Sequence, residues 1–437
     1  MRSSALAALL AALTALAAAG CGDSDPPLRI GVIVDCVGIN RSLRAAELSG
    51  AQLPLIERGA ERRGPPARGL GSVEVAGRDV ELVTGCTEWG EFSTLTTEAR
   101  SLAELERVDA VVAGAGGADQ IALREVARTY PRIAFVGVVH GPREATLRRR
   151  APNLFRFGAD EAQGVAGLGD YAYRELGWRR AAIALGNWDA GWQARDAFAA
   201  EFCARGGRLA GQVAPDFFDP AGGDLEAVPR DVDGVAVFAG AFFGPGEFLK
   251  RLAARTPDPA RGILLGPGIT GDPALLKSAG PGLAGVTGSA YDRPARVRAY
   301  LRRYSRAFPA LSREVARTEL VTGYHDAVES VLVALERADG DPARLQAELR
   351  AARPKLLSGR VRVDRNGQAV AAPTLVRVTR GARLEEIGRL PLVDQSLGGL
   401  LPATLRPGSE PVECGSGRDD APREARALGS GGEPAGT

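Results

Sequence analysis

Short apolar runs that alternate with amphipathic stretches dominate the first third of this chain. The run at 28–34 is apolar and β-branched and is followed by turn residues, which is typical of a buried strand. Helical and strand-like stretches then alternate at 42–58 (helix), 80–83 (strand), 92–105 (helix), 110–113 (strand), 119–128 (helix) and 133–139 (strand). This order predicts a parallel sheet with right-handed crossover connections.

The same alternation begins again after a short strand-like run at 154–157. Helices and strands follow at 162–176 (helix), 181–185 (strand), 193–204 (helix), 208–213 (strand), 235–238 (strand), 246–254 (helix) and 263–265 (strand). Later strands at 360–363 and 374–378 flank a turn at Asn366 and Gly367. With 437 residues the chain is long enough for two or three domains, so the second series predicts a second lobe with its own sheet.

The N-terminus has the layout of a secretory signal segment. Arg2 precedes an apolar run at 5–19, and Cys21 is followed by a polar stretch. The run at 18–21 resembles the lipobox of bacterial lipoproteins, although Ala18 occupies the position where that motif usually has Leu. We therefore expect an exported protein, anchored by lipid on Cys21 at the outer face of the cytoplasmic membrane or in the periplasm. The alternative is an ordinary signal peptide with an incidental cysteine.

Composition narrows the classes of chemistry that this chain can perform. The formal net charge is only +2, which gives no reason to expect a nucleic-acid partner. The chain has two histidines, His140 and His325, and no closely spaced cysteine pair, so we expect no metal site and no cofactor. No phosphate-binding loop or nucleophile-elbow motif occurs, which leaves an enzymatic function with little support.

Four cysteines remain after Cys21, and an even count in an exported chain suggests disulfides. Cys36 and Cys86 each follow one of the first two strands, which are neighbours in such a sheet, so we predict that they pair; free thiols are the alternative. By elimination, Cys203 would then pair with Cys414.

Several segments resemble the leucine/isoleucine/valine-binding protein family, the type I periplasmic binding proteins of ABC importers. The similar segments are 152–156 (PNLFR), 160–164 (DEAQG), 176–184 (LGWRRAAIA), 322–327 (TGYHDA) and 358–367 (SGRVRVDRNG), within a match over roughly 28–391. The resemblance implies an α/β fold of two Rossmann-like lobes, with parallel-rich sheets and a hinge of three crossings. It also implies that a ligand binds in the cleft between the lobes and that a transporter in the membrane recognises the resulting hinge motion.

The resemblance and the two sheets together predict a domain organisation. We expect a signal peptide at 1–20, a linker at 21–27, lobe I at 28–152 plus 286–336, lobe II at 153–285 plus 337–400, and a disordered tail at 401–437.

Ligands of open parallel sheets bind beyond the carboxyl ends of the strands, so the residues there are the candidate ligand contacts. In lobe I these are Asp35, Asn40, Glu88, Trp89, Gly116, Gly117, Ala118 and His140; in lobe II they are Asn187, Trp188, Asp189, Phe242, Thr270 and Asp272, with Tyr291 near the return crossing. The tryptophans, including Trp192, either stack on ligand or seal loops against the lobes.

One candidate segment departs from the pattern of the family. Amino-acid binders usually carry a Ser or Thr pair after the third strand, whereas this chain has Gly116, Gly117 and Ala118, so only backbone N–H donors remain there to hold an anion. Asp189 or Asp272 could take the place of the carboxylate that binds the ligand's amino group. A branched-chain amino acid is therefore only the family default, and we expect a small polar or amphipathic metabolite.

These observations predict a monomeric, non-catalytic solute-binding lipoprotein that delivers a small molecule to an ABC permease. The alternatives are a lipid-anchored sensor of the same fold that signals to a membrane receptor, and an exported α/β enzyme.

Overall fold

The computed structural model describes residues 26–38, 40–88, 91–114, 117–138, 140–148, 150–216, 219, 223–240, 244–402, 404–405, 408, 410 and 412–414. These residues form two α/β lobes, each built on its own sheet. The predicted signal segment and Cys21 lie outside the described residues. The predicted fold class is confirmed.

Lobe I contains a six-stranded sheet in the order β2-β3-β1-β4-β5-β6. Its strands are β1 (Leu28–Asp35), β2 (Val73–Val75), β3 (Arg78–Thr87), β4 (Ala110–Ala113), β5 (Ala134–Gly137) and β6 (Leu154–Arg156). All neighbours pair in parallel except β2, which runs antiparallel to β3. The two faces of β1 enter different cores, with Ile30 and Val32 on one side and Ile33 on the other, so helices cover both faces of the sheet.

Lobe II contains a seven-stranded sheet in the order β15-β14-β11-β10-β9-β7-β8. Its strands are β7 (Arg180–Leu185), β8 (Arg208–Val213), β9 (Gly234–Phe238), β10 (Ile263–Leu265), β11 (Thr287–Ala290), β14 (Thr374–Val378) and β15 (Leu384–Arg389), while the hairpin β12 (Arg362–Val363) and β13 (Ala369–Val370) stands apart. β7 to β11 pair in parallel, whereas β14 and β15 form an antiparallel edge.

The α-helices cover the faces of the two sheets. In chain order they are α1 (Arg44–Ile56), α2 (Phe92–Glu104), α3 (Gly117–Thr129), α4 (Glu144–Leu147), α5 (Glu161–Gly164), α6 (Leu168–Arg174), α7 (Asp189–Ala204), α8 (Gly246–Arg255), α9 (Pro259–Gly262), α10 (Pro267–Thr270), α11 (Pro273–Ser278), α12 (Pro294–Ala307), α13 (Arg313–Ala316), α14 (Glu319–Arg337) and α15 (Leu345–Ala351). α1 and α14 approach closely at Gly50, where an added Cβ would lie 2.4 Å from the Val321 carbonyl oxygen.

The structure corrects the predicted lobe boundaries, because strand pairing decides which sheet a segment joins. β6 pairs with β5, so lobe I continues past residue 152 to Arg156. β11 pairs with β10 and β14, so the stretch at 287–290, predicted in lobe I, belongs to lobe II.

Residues 337–369, predicted in lobe II, pack on lobe I. Leu345 and Leu349 of α15, with Val363 and Ala369 of the β12–β13 hairpin, are buried in the same core as β1 and α14. The third crossing therefore falls between β13 and β14, near 371–373. The helical periodicity of α15 shows a buried face but not the sheet that buries it, which explains the error.

The C-terminal segment is attached to the body as far as residue 414, which corrects the prediction of disorder from 401. Leu401 is fully buried in the lobe II core. Arg143 and Arg148, which flank α4 in lobe I, donate to backbone carbonyls of this segment, including those of Leu401 (3.0 Å) and Thr404 (2.9 Å). On α7 of lobe II, the buried Arg195 donates to the carbonyls of 408 (2.9 Å) and 410 (2.7 Å). This segment thus contacts both lobes.

Both predicted disulfides are confirmed, Cys36 with Cys86 and Cys203 with Cys414. The first joins neighbouring strand ends, since Val34 lies opposite Cys86 in the parallel register of β1 and β3. The second fastens the C-terminal segment to α7.

Replacing Cys203 and Cys414 by serine is expected to lower the denaturant midpoint of unfolding. The bond spans 211 residues, and in the chain-entropy description it contributes at most about 5 kcal/mol to the free energy of unfolding. The wild-type protein, reduced and alkylated, is the control and should unfold at least as early as the variant. An unchanged midpoint, with free Cys414 thiol in the untreated wild type, would contradict the assignment.

Candidate functional site

The carboxyl edges of the two sheets face the same region between the lobes. β6 ends at Arg156 and the chain passes directly to α5 in lobe II, while β11 ends at Ala290 and the chain returns to α12 in lobe I. Because both exits leave from carboxyl ends of parallel strands, those edges meet at the crossings. The carboxyl ends of β1, β3, β4 and β5 therefore face those of β7, β9 and β10, and ligands of open α/β sheets bind beyond such strand ends.

A buried polar network joins the crossings at the base of this cleft. The guanidinium of Arg156 donates to the side-chain oxygens of Gln368 (2.5 Å) and Gln120 (2.8 Å). Gln368 in turn donates to Gln163 of α5 (2.9 Å), whose side chain also completes a capping box with Asp160. The first crossing and the β12–β13 hairpin are thereby held together by hydrogen bonds that solvent does not reach.

His140 and Tyr291, both predicted site residues, stack on each other at the second crossing. Their ring centroids lie 3.2 Å apart with the planes 9° from parallel. The Nδ1 atom of His140 lies 2.8 Å from the Ala159 carbonyl. Burial, with the charge of Arg156 nearby, lowers the pKa of His140 to about 3, so the neutral ring donates to that carbonyl. The Tyr291 hydroxyl donates to Glu161 at 2.9 Å.

Carboxyl groups with raised pKa values surround Tyr291. Burial, the nearby Glu319 and Asp189 raise the pKa of Glu161 to about 8. Burial, with Asp272 nearby, raises the pKa of Glu319 to about 7, and burial with Asp326 raises that of Asp292 to about 8. These groups therefore keep a proton for much of the time near neutral pH.

Asp35 and Asn40, predicted at the end of β1, lie beneath the cleft surface and contact each other. Asn40 donates from Nδ2 to Asp35 at 3.1 Å, and the Asp35 carboxyl is fully buried. Burial raises the pKa of Asp35 to about 6, with Asp119 and Glu88 adding to the rise and the Asn40 hydrogen bond opposing it. Glu88 is half-buried.

The predicted residues after β7 have partners within lobe II. The indole of Trp188 lies over Gly186, where an added Cβ would be 1.7 Å from the ring. Asn187 is exposed and accepts a hydrogen bond from Trp192 Nε1 at 3.1 Å. Trp188 and Trp192 therefore pack against their own lobe, as in the loop-sealing interpretation, while Asp189 remains half-buried at the start of α7.

Thr270 and Asp272 also have structural roles. The buried Thr270 hydroxyl donates to the Ser289 carbonyl at 2.5 Å, and the Asp272 carboxylate caps α11 by accepting from the backbone N–H groups of Ala274 and Leu275. The structure thus places their polar atoms on protein partners, and ligand contact by either residue stays a prediction.

Some predicted site residues cannot be placed. Trp89, Gly116 and Phe242 lie outside the described residues, and for Gly117 and Ala118 only the backbone at the start of α3 is described.

Sequence reasoning missed a cavity beside Tyr291. It has a volume of about 350 Å³ and lies between α12 and the start of α14 in lobe I and the β14–β15 turn in lobe II. Arg298, Arg317 and Arg383 line it together with Glu319. None of these four follows the carboxyl end of a parallel strand, so the rule that selected the other candidates could not find them.

Among the residues that the structure describes, no group of three or more His, Cys, Asp or Glu side chains is placed to hold a metal ion. Within the same residues, no helix combines the length and the apolar character required to span a membrane.

Comparison with known proteins supports the fold. Residues 27–383 match the family model described as periplasmic binding protein. A search of curated proteins found no match. The ABC transporter substrate-binding protein from Sphaerobacter thermophilus has a TM-score of 0.71 and 21% sequence identity, covering 84% of this chain and 99% of its own.

Two further similar structures were solved with a bound ligand. The branched-chain amino acid transporter substrate-binding protein LivJ from Streptococcus pneumoniae, in complex with isoleucine, has a TM-score of 0.64 and 16% identity, covering 84% of this chain and all of its own (100%). A solute-binding protein of an ABC transporter from R. palustris, in complex with benzoate, has a TM-score of 0.65 and 21% identity. The match covers 85% of this chain and 98% of that protein's chain.

The melting temperature of the ligand-free protein is expected to fall as pH rises from about 5 to about 8. The pKa values of Glu161, Asp292 and Glu319 are raised in the folded state, so the unfolded chain releases these protons at lower pH. These groups make their full favourable contribution to the free energy of unfolding at a pH below the ordinary carboxyl pKa. That contribution is lost as the pH rises through their pKa values in the folded state. Each unit of pKa shift corresponds to about 1.4 kcal/mol.

Glu161→Gln should make the melting temperature fall less steeply with pH, since it removes a group that faces Glu319, Asp189 and the Tyr291 hydroxyl. Glu226→Gln is the control, because Glu226 is exposed and Arg230 lowers its pKa. A slope that is the same in Glu161→Gln and wild type would contradict the raised pKa.

Proposed function

The chain belongs to the periplasmic binding protein family, and on that premise we propose that it is a solute-binding protein outside the cytoplasm. It captures a small molecule between its two lobes, catalyses no reaction, and delivers the molecule to an ABC importer. The observation that carries this proposal is that the carboxyl edges of both sheets open onto one cleft beside three crossings. Such a cleft offers a guest contacts from two bodies at once.

Closure follows from the difference between the ligand contacts of the open and closed forms. A solute held by one lobe gains contacts with the other only when the lobes approach, so binding favours the closed form. We propose that residues after the strands supply those contacts, with Glu88, His140, Asp189 and Tyr291 among them. The remaining residues predicted after the strands complete the proposed site.

The family default for the solute is an amino acid or a similar polar metabolite. The two similar proteins solved with a ligand contain isoleucine and benzoate, both of which are small organic carboxylates. We further propose that Cys21 carries the lipid anchor, that the protein acts as a monomer, and that its protein partner is the membrane permease.

A thermal-shift screen of the soluble form beginning at Gly22 tests the proposal. A solute at 100 times its dissociation constant should add about 2.7 kcal/mol to the free energy of unfolding. Small-angle scattering with the same solute should show a smaller radius of gyration, because the lobes close.

Two results would contradict the proposal in different ways. If amino acids, organic acids, sugars and nucleosides all leave the melting temperature unchanged, solute binding is wrong. If a solute stabilises the protein without changing the radius of gyration, the hinge part of the proposal is wrong.

A further inference from the structure

We propose that the C-terminal segment is a strap that limits the rotation of the two lobes about their three crossings. The strap is defined by the described residues 393–402, 404–405, 408, 410 and 412–414. It lies outside the region matched by the family model, which ends at residue 383. The limit acts in the ligand-free protein and does not depend on which solute the cleft binds.

The first part of the strap belongs to lobe II. Val393 pairs with Ala371 of the third crossing through two backbone hydrogen bonds, of 2.8 and 3.0 Å. Leu397 and Leu401 are then buried in the lobe II core. Because burial of apolar side chains favours this position, the strap moves with lobe II when the lobes rotate.

The second part of the strap follows α7 of lobe II. The guanidinium of Arg195 donates to the carbonyls of Gly408 (2.9 Å) and Glu410 (2.7 Å). Further along the same helix, Cys203 is bonded to Cys414 of the strap. This part of the strap is therefore held at both ends, which removes much of the conformational freedom that a chain end otherwise has.

Two arginines of lobe I, Arg143 and Arg148, bind the same strap. Their guanidinium groups donate to backbone carbonyls at 2.8–3.4 Å, those of Gln395, Leu401 and Pro402 for Arg143 and those of Thr404 and Leu405 for Arg148. Hydrogen bonds from a charged donor are stronger than those between neutral groups. Arg143 is also buried, so the loss of these acceptors would leave its charge without compensation, which is unfavourable.

The short helix between these two arginines is fixed in lobe I. Arg124 of α3 donates from Nη1 to the carbonyls of Glu144 (2.8 Å) and Arg148 (2.9 Å), at the two ends of α4. Rotation of lobe I would therefore carry Arg143 and Arg148 together away from a strap that stays on lobe II. The hydrogen bonds between the arginines and the strap oppose that rotation.

The disulfide contributes to this restraint although Cys203 lies in lobe II. Thr404 and Leu405, which accept from Arg148, lie between the buried Leu401 and Cys414. Without the bond this stretch would lose an attachment at its far end, and the two carbonyls would lie within reach of Arg148 for a smaller part of the time. Breaking the bond should therefore loosen the hinge, even though no atom of lobe I is changed.

Distances between two spin labels, measured by pulsed electron paramagnetic resonance on the ligand-free soluble form, test the strap. The labels are placed at Leu105 of lobe I and Glu226 of lobe II, both exposed, on unnatural side chains that leave the disulfides intact. Cys203→Ser with Cys414→Ser, and Arg148→Gln alone, should each widen the distribution of distances about twofold, because the lobes sample more orientations. The three substitutions together should widen it no further than the larger single effect, since both changes act on the same contact.

Arg150→Gln is the matched control, because it removes an exposed arginine two residues from Arg148. Arg150 donates to the Arg365 carbonyl (3.2 Å) and the Asn366 side chain (3.5 Å), both in the hairpin that packs on lobe I, so its loss should leave the distribution as in wild type. A wild-type width in Arg148→Gln would overturn the strap whatever the disulfide variant shows, and an equal widening in Arg150→Gln would do the same. Since no solute is added, none of these results depends on whether the cleft binds one.

Discussion

The two lobes depend on one buried hydrogen-bond network around the guanidinium of Arg156. A charge with no access to solvent is costly unless its N–H groups have partners. Here the partners come from separate parts of the fold: Gln120 from α3, Gln368 from the turn of the β12–β13 hairpin, and the Pro142 carbonyl before α4. The network therefore joins α3, the segment before α4 and the β12–β13 hairpin at the point where the chain leaves lobe I.

The C-terminal segment adds a connection that lies outside the matched family region, which ends at residue 383. Three arginines, Arg143, Arg148 and Arg195, bind its backbone carbonyls, and Cys414 is fixed to α7 by a disulfide. Arg143 belongs to lobe I, yet its backbone N–H also donates to Gln193 of lobe II at 2.9 Å. Lobe contacts at this side of the hinge are thus held by backbone carbonyls and amides, which do not change charge with pH.

Charged groups are distributed unevenly over the described structure. Buried carboxyl groups lie around Asp35, at a strand end of lobe I, and around Tyr291, which follows β11 of lobe II. Guanidinium groups line the cavity between α12 and the β14–β15 turn. Burial makes the ionised forms of these carboxyl groups unfavourable. The chain shares its fold with solute-binding proteins whose solved structures contain isoleucine and benzoate.

The sequence by itself determined the two α/β lobes, because short apolar runs alternate with stretches of helical periodicity. Both patterns mark residues that are buried in the folded chain. It also determined the Cys36–Cys86 pair, since consecutive parallel strands bring their ends together. Only the tertiary structure decided that α15 and the β12–β13 hairpin pack on lobe I, because periodicity shows a buried face but not its partner. The tertiary structure also decided that the polar atoms of Thr270 and Asp272 form hydrogen bonds with other groups of the protein. It also brought Arg298, Arg317 and Arg383 together, because contacts between segments distant in sequence leave no local pattern.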